Sequence, residues 1–132
     1  MDFKSTLNLD KLVFDKIHFE RIGFKNDNQL NYSFESNVAK KNDAEIYRVT
    51  LIYKGTKENE YYMEISLTGF FSFDNEQEIS DELKNHLVNV NAIAILMPYL
   101  RSQISLLTAQ PEVDCVVLPP FNINSMLESK EE

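Results

Sequence analysis

The chain has 132 residues, 43% of them apolar and 26% charged, and thirteen basic against twenty-one acidic side chains give a net charge of −8 and a pI near 4.8. This length fits one domain, 1–132, since two would each approach the size at which burial barely offsets conformational entropy. The composition is that of a soluble, folded chain, and its acidic balance disfavours nucleic-acid phosphates and anionic lipid while suiting a basic protein segment.

Residues 1–11 are polar and mixed, with Phe3, Leu7 and Leu9 too sparse to set a period. From Leu12 to Phe24 the pattern predicts a strand, in which Ile17 and Phe19 alternate with Lys16, His18 and Glu20; a change of phase around Arg21 and Ile22 predicts a bulge near Gly23. Asn26, Asp27 and Asn28 read as a turn. Leu30, Tyr32 and Phe34 then alternate with Asn31, Ser33 and Glu35 in a second strand, apolar on one face and wet on the other. After a polar turn at 40–43, Ile46 to Tyr53 is dense in β-branched and aromatic residues. Gly55 to Asn59 turns the chain again, and Tyr61 to Phe73 sets Met63, Ile65, Leu67 and Phe71 on one face against Tyr62, Glu64, Ser66 and Thr68 on the other. Connections this short impose antiparallel neighbours, so a four-stranded antiparallel β-meander is predicted.

Ser80 is placed to cap a helix, with Asp81 and Glu82 at the positive end of its dipole. Pro98 deletes the hydrogen bond to the Ala94 carbonyl, yet the apolar period resumes beyond it, which predicts a kink and not a stop. Pro111 ends the helix, Pro119 and Pro120 keep the following segment extended, and Asn124 can cap a short helix from Ser125. The fold class is therefore α+β: the meander, a long Pro-kinked helix, an extended connecting segment and a short C-terminal helix. Ile93, Leu96, Leu100, Ile104 and Leu107 form one helical stripe, and Leu83, Leu87, Val90, Ala94, Met97 and Ile104 a second. Two stripes need two packing partners. Assembly through this helix is expected, with Ile93, Leu96, Met97, Leu100, Ile104 and Leu107 at the oligomer interface.

A search for chemistry returns little. Cys115 is the only cysteine, which excludes an intramolecular disulfide, fits a reducing cytoplasm, and among valines favours an inert thiol. His18 and His86 lie on different elements with no ligand cluster beside them, and none of the three glycines sits in a phosphate-binding arrangement. No metal, cofactor or catalytic constellation is indicated, so an enzyme is the last of the readings. The amino terminus carries no secretory pattern, and Ala92 to Met97 is too short to span a bilayer, so no integral membrane association is expected. Nine phenylalanines and six tyrosines alternate along strands as core residues do, whereas the apolar stretch 111–124 must lie in or over a groove or against another subunit.

Three segments carry a family likeness. KIHFE at 16–20, MEISLTGFFSF at 63–73, and LMPYLR at 96–101 with the later LPPFNIN at 118–124 come in the order found in SecB, and the chain resembles that family of protein-export chaperones. The resemblance implies a four-stranded sheet with a long helix, assembled as a dimer of dimers with helices sandwiched between sheets. It also implies ATP-independent binding of unfolded precursor proteins in apolar grooves, for which Phe24, Leu30, Tyr32, Phe34, Val116, Leu118, Phe121 and Met126 are the candidates, and handover to the SecA motor through Asp15, Glu20, Tyr62 and Glu64. Glu20 and Glu64 match acidic contact positions of the family, whereas another such position falls on Lys16, and the chain departs from the longer second helix and acidic tail by ending in SMLESKEE. Two other readings stand beside the general holdase: a relative serving one client such as an antitoxin, and a regulatory assembly protein that keeps the fold.

Overall fold

The computed structural model describes residues 7–40, 46–73 and 80–119. Four strands, β1 (Leu7–Arg21), β2 (Leu30–Lys40), β3 (Ile46–Lys57) and β4 (Tyr61–Phe73), are followed by helix α1 (Asp81–Leu87), a π-helical stretch (Val88–Ala92) and helix α2 (Ile93–Thr108). The class is α+β, and the sheet is antiparallel throughout with the order β1-β4-β3-β2. The meander therefore covers β2 to β4 only. β1 does not pair with its chain neighbour β2; it lies beyond β4 on the opposite edge. β4 is the most continuously buried strand, and pairing it on both sides covers it better than an edge position would. The crossing spans three strand spacings, about 14 Å, which residues 22–29 reach with ease.

That crossing is fixed at the β3–β4 turn. Ile22 N–H and Gly23 N–H both donate to the Glu60 carbonyl, at 2.8 and 3.1 Å, while the side-chain amides of Asn26 and Asn28 donate to the Glu58 carbonyl. A β-carbon at Gly23 would lie 2.3 Å from the Asn59 carbonyl oxygen, so this close approach requires glycine. Gly23 thus marks a backbone crossing and not the predicted bulge, since β1 has already ended at Arg21. The bulges lie earlier, where the β1 register against β4 shifts between Leu9 and Lys11 and again between Phe14 and Lys16. Each inserts one residue, Asp10 or Asp15, and returns the next apolar side chain to the same face.

Leu7, Leu9, Leu12, Phe14, Ile17 and Phe19 of β1 consequently share a face with Met63, Ile65, Leu67 and Phe71 of β4 and with Tyr47, Val49, Leu51 and Tyr53 of β3. The helical run packs on this face. Val88, Ala92, Ile93, Leu96, Leu100, Ile104 and Thr108 are buried along it, and Leu96 Cδ2 sits so near Gly69 of β4 that a β-carbon there would approach to 2.7 Å. Ser80 caps the start, its Oγ accepting Leu83 N–H at 3.2 Å. Pro98 lies inside α2, and the helix continues ten residues past it to Thr108. Unbroken from Glu82 to Thr108, the 27-residue run is long and apolar enough to cross a membrane, unlike the short stretch seen in sequence, and it buries one stripe on the sheet.

Candidate functional site

Helix α2 lies over the centre of the sheet and leaves apolar strips on both flanks of the face it covers. On the β1 side Leu12, Phe14 and Phe19 are half-buried and Ile17 is exposed; on the β2 side Leu30 is half-buried while Tyr32 and Val38 are exposed. The β2 strip is built on rings. Tyr32 meets Phe34 edge-on at 5.8 Å and Tyr53 at 6.0 Å, and Phe34 meets Tyr53 at 5.4 Å. Burial pushes the Tyr53 hydroxyl well above its usual pKa, keeping it a neutral phenol. This hydroxyl lies across Gly55, where a β-carbon would meet it at 2.7 Å, and has no hydrogen-bond partner among the described residues.

After Thr108 the chain turns, with Glu112 at φ 61°, and runs back along the helix. Thr108 Oγ1 accepts Val116 N–H at 2.8 Å and donates to the Ile104 carbonyl at 2.9 Å, while Ser105 Oγ donates to the Val116 carbonyl at 2.7 Å. Helix hydroxyls thus satisfy both backbone groups of Val116, and Val113 and Leu118 bury on either side of it. Between this segment and the outer face of α2 lies an open groove of about 830 Å³, lined among others by Pro98, Arg101, Leu106, Val117 and Leu118. Leu106 is 69% exposed and Val117 77%, so the groove is apolar and open to solvent. Lys25 holds the far end through Asp114 at 3.0 Å, and Arg21 donates to the Glu112 carbonyl at 2.9 Å. The Lys25 hydrogen bond and charge keep the Asp114 carboxyl below its ordinary range.

The residues singled out for polypeptide binding divide by environment. Leu30 and Tyr32 line the β2 strip, while Phe34 is 1% exposed and forms its floor. Val116 is half-buried and Leu118 buried on the returning segment, and Phe24 is 93% exposed on the β1–β2 loop. Phe121, Met126 and the short helix expected from Ser125 lie outside the described residues. Sequence reasoning passed over Val38, though it continues the even-numbered phase of Leu30, Tyr32 and Phe34, and Leu106, whose helical neighbours Ser102 and Tyr99 mark an outer face. The helix interface candidates need a correction of place. Ile93, Leu96, Met97, Leu100 and Ile104 are buried within their own chain, and only Leu107 keeps appreciable surface. A helix laid on a sheet buries a broad stripe there, which leaves Ala94, Pro98, Tyr99, Ser102 and Leu106 facing outward.

On the opposite sheet face Glu20, Tyr62 and Glu64 fall together, while Asp15 lies further along the strands, at the second bulge. Glu20 is the cross-strand partner of Tyr62 and His18 that of Glu64. Tyr62 hydroxyl donates to Glu64 Oε1 at 2.7 Å and Lys16 Nζ stands 3.4 Å from the same oxygen. The Tyr62 hydrogen bond, opposed by partial burial and helped by Lys16 and Lys54, holds the Glu64 carboxyl below its usual range. Thr68 hydroxyl donates to Asp15 at the second bulge. Among the described residues no group of three or more His, Cys, Asp or Glu side chains could hold a metal ion.

The SecB family model, described as Preprotein translocase subunit SecB, matches residues 7–132. The chain belongs to the SecB family. Its fold is similar to that of a SecB-like chaperone from Mycobacterium tuberculosis, solved with a ChAD peptide from the HigA1 antitoxin: TM-score 0.73, 11% identity, over 89% of this chain and 88% of that one. It is also 35% identical over 71 residues to an uncharacterised protein of Methanocaldococcus jannaschii, a match covering 54% of this chain and 44% of the relative, so it spans less than half of that protein.

Proposed function

We propose that the chain is an ATP-independent holdase that takes unfolded polypeptides onto the apolar strip along β2. The observation that carries this reading is the pairing of exposed Tyr32 and Val38 with the buried Phe34 and Tyr53 rings on an edge strand. Among the described residues β2 pairs only with β3, so its other edge offers N–H and C=O groups to an extended client. Apolar burial with backbone pairing suits many unrelated sequences, because neither demands a particular side chain. The test is aggregation of a chemically unfolded client with near-stoichiometric chaperone and no nucleotide. Wild type is expected to suppress light scattering and Tyr32→Glu to lose most of that effect while keeping its circular dichroism; a wild type without suppression would refute the reading.

The antitoxin peptide bound to the Mycobacterium relative favours a second reading, in which one dedicated client replaces a broad set. A panel of unrelated unfolded proteins separates the two. Handover to SecA through Asp15, Glu20, Tyr62 and Glu64, assembly as a dimer of dimers and residence in the cytoplasm belong to the same proposal. The outward face of α2 with Tyr99 and Leu106 supports assembly, since an apolar helix face gains by burial against a partner.

A further inference from the structure

The exposed sheet face is not electrically uniform. Toward the β3–β4 turn it holds Glu20, Glu64 and Glu35, whose cationic neighbours are paired: Lys16 stands 3.4 Å from Glu64, and Lys54 3.9 Å from Glu35. At its other end one cross-strand row reads Lys11, Phe70, Arg48, with Phe70 opposite both cations. Lys11 Nζ stands 5.9 Å from the Phe70 ring centre, and Phe70, Ile46, Ala39, Arg48 and Lys40 line a shallow hollow of about 300 Å³. Lys40, the cross-strand partner of Tyr47, turns its Nζ to the helix face, 5.6 Å over the Tyr47 ring, so it borders this hollow without sharing its face. Neither Lys11 nor Arg48 makes an ion pair among the described residues, and neither does Asp10, the acid next to Lys11 in the chain. Two cations without an ion pair among the described residues, set around an apolar floor, stand out on a chain of net charge −8.

We propose that this end of the sheet is a docking surface for an acidic polypeptide segment bearing an aromatic or aliphatic side chain. The apolar side chain would seat against Phe70 and Ile46 while its flanking carboxylates meet Arg48 and Lys11, with the Arg48 fork suited to bidentate carboxylate contact. Charge complementarity selects the partner: a basic segment is repelled here and a neutral one gains only a small hollow. The surface lies across the sheet from the apolar strip of the proposed function, so it does not depend on that reading.

The probe is a fluorescein-labelled decapeptide, Glu-Glu-Phe-Glu-Glu repeated twice, titrated by fluorescence anisotropy with the full chain against a lysine-for-glutamate counterpart. The acidic peptide is expected to bind, to weaken at least tenfold between roughly 50 and 500 mM salt, and to weaken at least tenfold in Lys11→Ser with Arg48→Ser but not in Tyr32→Ser. Both cations are exposed, so the double variant should keep its circular dichroism; Arg48→Gln alone, expected to lose severalfold, serves if it does not. Failure to bind, equal binding of the lysine peptide, or loss in Tyr32→Ser alone would overturn the proposal. Equal competition by tripolyphosphate or anionic vesicles would reassign the patch to general anion binding. Self-association that disappears in the double variant would reassign it to a second copy of the chain.

Discussion

Two side chains at the sheet's end decide how the chain crosses from β1 to β2. Glu60 is fully buried, and its Oε1 accepts Asn26 N–H at 2.8 Å and meets Lys57 Nζ at 2.9 Å; Lys57 also donates to the Asn26 carbonyl at 2.8 Å. Burial alone would raise the Glu60 carboxyl, but Lys57, the Asn26 N–H and Arg21 together outweigh it and hold the group below its ordinary range. Its stabilising contribution is therefore present above the usual carboxylate range and lost as pH falls through the lowered folded-state value. Lys57→Met removes the cation and leaves a buried carboxylate, which should cost about 3–5 kcal/mol near neutral pH. With burial then dominant the carboxyl would rise in the variant, so the stability gap between the two proteins should narrow from pH 7 toward pH 4 in urea unfolding; a constant gap would contradict this account. Gly23→Ala puts a methyl against the Asn59 carbonyl and should lower stability by about 1–3 kcal/mol. An unchanged urea midpoint for that variant would show that the crossing yields easily.

Strand β1 keeps its apolar face only because Asp10 and Asp15 are extra residues, so deletion and substitution should behave differently. Deleting Asp15 shifts residues 7–14 by one and turns Leu7, Leu9, Leu12 and Phe14 away from the helix, which should abolish cooperative unfolding. Asp15→Ala retains the count, loses only the Thr68 contact, and should stay folded; similar stability for both would show that the bulge does not set the register. On the helix, Ile104→Glu should prevent folding because Ile104 is fully buried in its own chain, whereas Leu106→Glu should fold and reduce any oligomer seen by light scattering. Most elements were legible because their periods are local: the alternation of β2 to β4, the Ser80 cap and continuation through Pro98 each rest on neighbouring residues. The order of the sheet was not, since β1 to β4 pairing depends on residues some fifty apart and the bulges break the alternation of β1. The candidate site was half legible for the same reason. Phase placed Leu30 and Tyr32 on one face, but only the path of the helix decides that Phe34 is covered and Val38 left open.

In the whole molecule the sheet separates two surfaces, an apolar one flanking the helix and a polar one behind it, and the proposed holding and handover of a client would need such a separation. A client held by burial and backbone pairing is little affected by salt, whereas docking on Glu20, Glu64 and Asp15 would be electrostatic and strongly affected. The polar face is no simple acidic patch. Lys16 lies beside Glu64 and Lys54 is its cross-strand partner, so a basic motor segment must compete with cations already in place. Reversal at this point should therefore act twice, removing a carboxylate and setting a new lysine between Lys16 and Lys54, with loss of the Tyr62 hydrogen bond as well. Glu20→Lys with Glu64→Lys is expected to weaken SecA association at least tenfold at low salt, with the difference shrinking as salt rises. Suppression of client aggregation should stay within about twofold of wild type, because Tyr32, Phe34 and Val38 lie on the other face. The checks are surface-immobilised SecA binding and client light scattering on the same preparations. Unchanged SecA binding would remove the docking role from this surface, and loss of client holding in a correctly folded variant would show that the two faces do not act separately.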